Sequence, residues 1–240
     1  MPFPSAPMAP YPHAGDLPCH APFRPVAVPP DCARAVRRLV HALAGFDVLI
    51  VPGLDGSLPH HWQSRWTHIL RQNGIGVHRV RQRDWARPTY RMWAQTLRRT
   101  LGQARDRPVI IVAHSLGAAL SVRMAAAREL ENVAGAFLVA LADVAPYRGA
   151  DRHRVAEFAA LPTGRLPIPA MMVAGHDDAW LSLPRARSLS HAWGATLRDA
   201  GRVGHIGNQS AIGPWPDGMD MLADFATSLP ADHEDSLETV

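Results

Sequence analysis

Residues 108–132 read PVIIVAHSLGAALSVRMAAARELEN. The opening run, Val109-Ile110-Ile111-Val112, is apolar without alternation and β-branched throughout. That composition suits a strand buried on both faces. From Leu116 onward the residues are mostly strong helix formers, and they continue to about residue 130. Between strand and helix lie only Ala113-His114-Ser115-Leu116-Gly117. A chain that turns this sharply from a buried strand into a helix is building a layered α/β unit.

The same alternation extends to both sides. Apolar runs predict strands at 47–52 (DVLIVP), 76–81, 108–113, 133–141, 168–174 and 195–199, and helical patterns fall at 60–72, 89–104, 116–130, 183–193 and 217–228. Strands that alternate with helices give parallel pairing, with helices on both faces of the sheet. Arg79, Arg81 and Arg83 alternate along and beyond the second strand. Such charges suit an edge position, where they oppose sheet-to-sheet association. A further amphipathic helix is expected over 31–45, capped by Asp31, with Cys32, Val36, Leu39, Val40 and Leu43 on one face.

The turn at Ser115 carries chemistry. Small-x-Ser-x-Gly recurs by chance, but a strand before it and a helix after it form the setting of a nucleophile elbow. The turn lifts the serine hydroxyl above the sheet, and the helix N-terminus behind it favours developing negative charge. A serine needs a base, and the base needs an orienting acid. The expected order in the chain is serine, acid, histidine. After the fifth strand comes Gly175-His176-Asp177-Asp178, and after the sixth comes Gly201-Arg202-Val203-Gly204-His205-Ile206-Gly207. Both follow C-terminal strand ends, where open parallel sheets carry their sites. His205 is therefore the candidate base, and Asp177 and Asp178 compete as the acid. The first strand ends in Pro52-Gly53-Leu54-Asp55-Gly56-Ser57. The amide of Leu54 or Asp55, with that of Leu116, would bind an oxyanion. The glycines do not read as a phosphate cradle, because no lysine follows.

Five blocks resemble the small α/β-hydrolase family of retinoblastoma-binding protein nine and its bacterial relatives. They are VPGLDGSLPHHWQSRW (51–66), RDWARPTYRMWAQTL (83–97), VAHSLGAAL (112–120), HDDAWLSLPRARSLSHAWGA (176–195) and GHIGNQSAIGPWPDG (204–218). The resemblance spans roughly residues 47–228. It implies a compact serine hydrolase with a Ser–Asp–His triad and no metal or other cofactor. The family acid stands in a D-P-Y-x-S stretch. Asp178-Ala179-Trp180-Leu181-Ser182 has that spacing, so the resemblance favours Asp178. Alanine and tryptophan replace the proline and tyrosine, which alters the local substrate wall. His61, Trp180 and Trp215 are candidate substrate-binding residues.

The resulting expectation is an α/β-hydrolase fold with a mostly parallel six-stranded sheet in the order 2-1-3-4-5-6. The glycine loop and Ser115 then meet at its switch point. The segment 142–167 is long enough for a short cap and too short for a lid domain. The expected reaction is hydrolysis of small acyl esters, or amides, through an acyl-enzyme. The alternative is a non-enzymatic interaction protein on the same fold.

Ten of the 22 prolines lie in residues 1–30. Such a stretch is expected to be extended, since proline lacks the amide that helices and sheets use. It reads as an inert leader or as an arm for a protein partner. It has neither the basic nor the apolar region of a signal peptide, and no apolar run reaches membrane-spanning length. A cytoplasmic protein is expected. Residues 231–240 carry four acids and no base, and form an acidic tail. All 25 basic residues are arginine. Residues 31–110 hold 14 of them against five acids, a net of +9. No nucleic-acid motif accompanies this excess, so no nucleic-acid partner is expected. The domain division is leader 1–30, helix 31–45, hydrolase domain 46–229 and tail 230–240.

Overall fold

A computed structural model describes residues 30–104 and 106–230. Residues 1–29 of the leader and 231–240 of the acidic tail, with the partner reading attached to the leader, lie outside the described residues. The strands are β1 (Asp47–Val51), β2 (Val77–Arg79), β3 (Val109–His114), β4 (Val133–Val139), β5 (Ala170–Ala174) and β6 (Thr196–Asp199). The α-helices are α1 (Pro30–Ala42), α2 (Trp62–Gln72), α3 (Tyr90–Leu101), α4 (Leu116–Ala126), α5 (Leu183–Trp193) and α6 (Pro216–Ser228). The sheet has six strands in the order β2-β1-β3-β4-β5-β6, and every pairing is parallel.

Side-chain alternation divides the core into two layers. Leu49, Val51, Ile111, Ala113, Leu138 and Met172 face α3, α4, α5 and the 142–167 segment. Val48, Ile50, Ile110, Val112, Phe137 and Val173 face α1, α2 and α6. The central strands are thus apolar on both sides because both sides are covered. α1 packs against α6 through Cys32, Ala35, Leu39 and Leu43. At its rim Arg38 pairs with Asp220 at 2.9 Å and with Asp224. α1 begins at Pro30, with Asp31 in its first turn.

Other boundaries also move. α4 stops at Ala126 because Arg128 takes a left-handed conformation (φ 57°) and its amide folds back to Ala125. β4 ends at Val139 because Ala140 turns to φ 45°. β2 is an edge strand, but Arg79 is not a solvated guard. Its guanidinium reaches the Thr67 hydroxyl at 3.2 Å and the Ser64 hydroxyl at 3.3 Å. Burial, with Arg81 and Arg71 nearby, lowers its pKa to about 10. It ties β2 to the first turns of α2. The 142–167 segment contains only two short 3₁₀ turns, 150–153 and 156–158.

Candidate active site

The turn after β3 is built by two close approaches. Ser115 sits at the N-cap of α4 with φ 55° and ψ −121°, a strained conformation for a residue with a side chain. Its amide donates to the Val139 carbonyl at 3.0 Å, which pins it to β4. Gly117 follows where α4 crosses β1. A Cβ there would stand 2.4 Å from the Pro52 carbonyl oxygen, so only glycine fits. At Gly53 a Cβ would lie 2.7 Å from the Ser115 Cβ. The glycine loop therefore passes directly beside the serine.

Three loops then converge. Ser115 Oγ lies 2.6 Å from His205 Nε2. His205 Nδ1 lies 2.8 Å and 2.9 Å from the two carboxylate oxygens of Asp178. The Asp178 carboxylate is fully buried, and its Oδ1 also accepts the Trp180 amide at 2.8 Å. Asp177 points elsewhere. It is exposed, and its Oδ1 accepts the Gly204 amide at 2.9 Å. That bond, with Arg202 and His176 adding attraction, holds its carboxyl below the usual range. Asp177 thus braces the loop that carries His205, whereas Asp178 touches the imidazole itself.

A cavity of about 580 Å³ opens over Ser115, with Leu54, Asp55, His61, Trp180 and His205 among its walls. Leu116 is buried, and as the first residue of α4 its amide has no acceptor inside the helix. The side chain of Asp55 is gripped by Arg154, at 2.6 Å and 3.4 Å to its two oxygens. Arg154 also bonds Asp151 and the Ala86 carbonyl. The 142–167 segment is thereby fastened to the glycine loop. His61 caps α2, its Nδ1 accepting the Gln63 amide at 3.1 Å. Burial, then Arg79, His60 and His205, lower its pKa to about 3, so it is neutral.

Trp215 does not line this cavity. It is buried in the opposite layer, 5.2 Å from the Trp62 ring and 5.8 Å from the Trp66 ring. Its place in a loop beside Pro214 and Pro216 suggested a wall residue; an indole buries too much apolar surface to stay in the open when two others offer a socket. His114 is a site residue that sequence reasoning missed. It is buried, and its Nε2 stands 2.9 Å from the His205 carbonyl oxygen. Burial drives its pKa well below the usual value, so the neutral ring donates this bond and steadies the loop that carries His205. Its position just before the serine was the available signal.

A protein-family model described as serine hydrolase matches residues 48–224. The chain belongs to the serine hydrolase family. Among solved structures, this serine hydrolase is similar to a YdeN-like hydrolase from Pectobacterium atrosepticum, at 31% identity and a TM-score of 0.69. That match covers 82% of this chain and 100% of the other. The ydeN gene product of B. subtilis matches at 20% identity and a TM-score of 0.62, covering 75% of this chain and 97% of the other. Mouse alpha/beta hydrolase domain-containing protein 10 shares the fold at 17% identity and a TM-score of 0.59, covering 74% and 89%. No curated protein matches this hydrolase. Among the described residues no helix is long and apolar enough to cross a membrane, and no group of side chains has the makeup of a metal site.

Proposed function

We propose that this serine hydrolase cleaves small acyl esters, with amides as a second class, through a Ser115–His205–Asp178 triad. The observation that carries the reading is the unbroken chain of hydrogen bonds from Ser115 Oγ through the imidazole to a fully buried carboxylate. A carboxylate at Nδ1 favours the tautomer with its proton there, leaving Nε2 free to accept from Ser115.

Ser115 Oγ attacks the substrate carbonyl carbon as its proton passes to His205 Nε2. The carbonyl oxygen becomes an oxyanion, held by the Leu116 amide and by that of Leu54 or Asp55. His205 returns the proton to the leaving alcohol, and the acyl group stays on Ser115. Water, deprotonated by His205, then attacks the acyl-enzyme and frees the acid. Asp178 holds the imidazole and stabilises its charged form throughout.

The test is covalent labelling. A fluorophosphonate probe is expected to modify the wild-type protein with one adduct and to leave Ser115→Ala unmodified. Hydrolysis of a short p-nitrophenyl ester should fall by about 10⁴-fold or more in the same variant. Equal labelling of both proteins, or none of either, overturns the assignment.

A further inference from the structure

Trp180 divides two cavities. One face of the molecule's active-site rim holds the Ser115 cavity already described. On the far side of the indole is a second cavity of about 650 Å³, walled by Ala145, Pro146, Tyr147, Trp180 and Leu181 with the Asp143–Arg185 ion pair. Trp180 is common to both. It is held as a partition by stacking. Tyr147 lies flat against it, with ring centroids 3.6 Å apart and planes 8° apart. On its other side the His205 ring is 5.7 Å away at 28°. Its own amide is fixed by the triad carboxylate.

We propose that Trp180 is the specificity-determining partition of this enzyme, which, while the Tyr147–Trp180 stack is in place, shuts the acyl arm out of the cavity behind it. The inference rests on the triad reading, since the arm in question is the one attached to Ser115 during acyl transfer. Two features support it. The second cavity reaches Asp178, whose carboxylate is itself buried and meets His205. Ala145, Pro146, Tyr147, Ala179 and Leu181 give it an apolar part that suits a hydrocarbon chain, beside the charged Asp143, Arg148 and Arg185. Wild-type enzyme therefore accepts acyl groups that fit on the Ser115 side alone.

The experiment compares wild type, Trp180→Ala, Trp180→Phe and Tyr147→Ala on p-nitrophenyl esters from acetate to decanoate. The readout is the ratio of kcat/KM for long over short chains. Each methylene that enters an apolar subsite contributes roughly fourfold. Trp180→Ala is expected to raise the long-to-short ratio at least tenfold, while its activity on acetate falls because the Asp178–His205 pair becomes wetter. Trp180→Phe should keep the wild-type ratio, and Tyr147→Ala, which frees the indole from the other side, should raise it severalfold. A uniform loss across all chain lengths in Trp180→Ala, with Tyr147→Ala unchanged in ratio, overturns the proposal and leaves Trp180 a shield for the triad. Should Trp180→Ala fail to fold by its thermal melt, the Tyr147→Ala ratio decides alone. Fluorophosphonate labelling of wild type separates this failure from failure of the triad itself, which would abolish labelling in every variant.

Discussion

The end of β6 and the loops after β5 and β6 hold two histidine–aspartate pairs. His205 meets Asp178 at 2.8 Å, and His176 meets Asp199 at 2.6 Å. By distance alone the second pair is the better one. They differ in surroundings. The Asp178 side chain has no exposure, and its partner imidazole reaches on to a serine. Asp199 is half exposed and His176 is 42% exposed, with no nucleophile beyond. A carboxylate shielded from water orients and polarises an imidazole; a solvated one exchanges its partner for water at little cost. In the proposed mechanism burial and a third member set the first pair apart, and close contact is common to both.

The largest effect expected from breaking the buried pair is kinetic. Asp178→Asn should lower kcat by on the order of 10²–10⁴, measured on a short ester. An unchanged kcat would remove Asp178 from the mechanism. A second effect concerns the buried histidines beside the site. His61 has a folded pKa of about 3 against an ordinary value of 6.5, so it stays neutral in the fold while the unfolded chain takes up its proton. Its contribution is fully present above pH 6.5 and is lost progressively as pH falls toward 3. For His61 alone the loss by pH 5 is about 2 kcal/mol, and His114 adds in the same direction. Denaturant midpoints at pH 7.5 and 5 should show it, and His61→Gln should flatten the slope. Asp177→Asn comes next. The amide oxygen still accepts from Gly204, so kcat should fall by no more than about threefold. The smallest effect belongs to the exposed pair, where His176→Ala should change stability by less than about 0.5 kcal/mol and leave kcat intact. A large loss there would dissolve the contrast between the two pairs.

The sheet was legible because its signals are local. Val-Leu-Ile-Val and Val-Ile-Ile-Val are short, β-branched and apolar on both faces, as strands covered on both sides require, and strands separated by helices pair in parallel. The family resemblance and the sheet order agree on a small serine hydrolase fold. Helix ends were less legible. α4 ends at an arginine in left-handed conformation, where no glycine marks the stop, and helix formers continue past it. The site divides in the same way. Ser115 and His205 stand in motifs with their own backbone logic. Asp177 and Asp178 are adjacent, and their place after the strand does not distinguish a side chain that turns toward the imidazole from one that turns toward a loop amide; only the family spacing favoured Asp178. Arg154 meets Asp55 across 99 residues, and His114 meets the His205 carbonyl across 91. Pairings of that range follow from the folded path of the chain, and local pattern carries no trace of them.

The docking of α1 on α6 has a consequence in time. Arg38 and Asp220 are separated by 182 residues, so on a ribosome α1 emerges on the order of 10–40 s before its partner helix exists. Throughout that interval Leu39, Leu43 and the Cys32 thiol, all buried in the finished fold, lack the α6 side of their cover. The nascent chain is thus open to thiol reagents and to chaperones at a point that the folded enzyme conceals, and it closes only when almost the whole protein has been made.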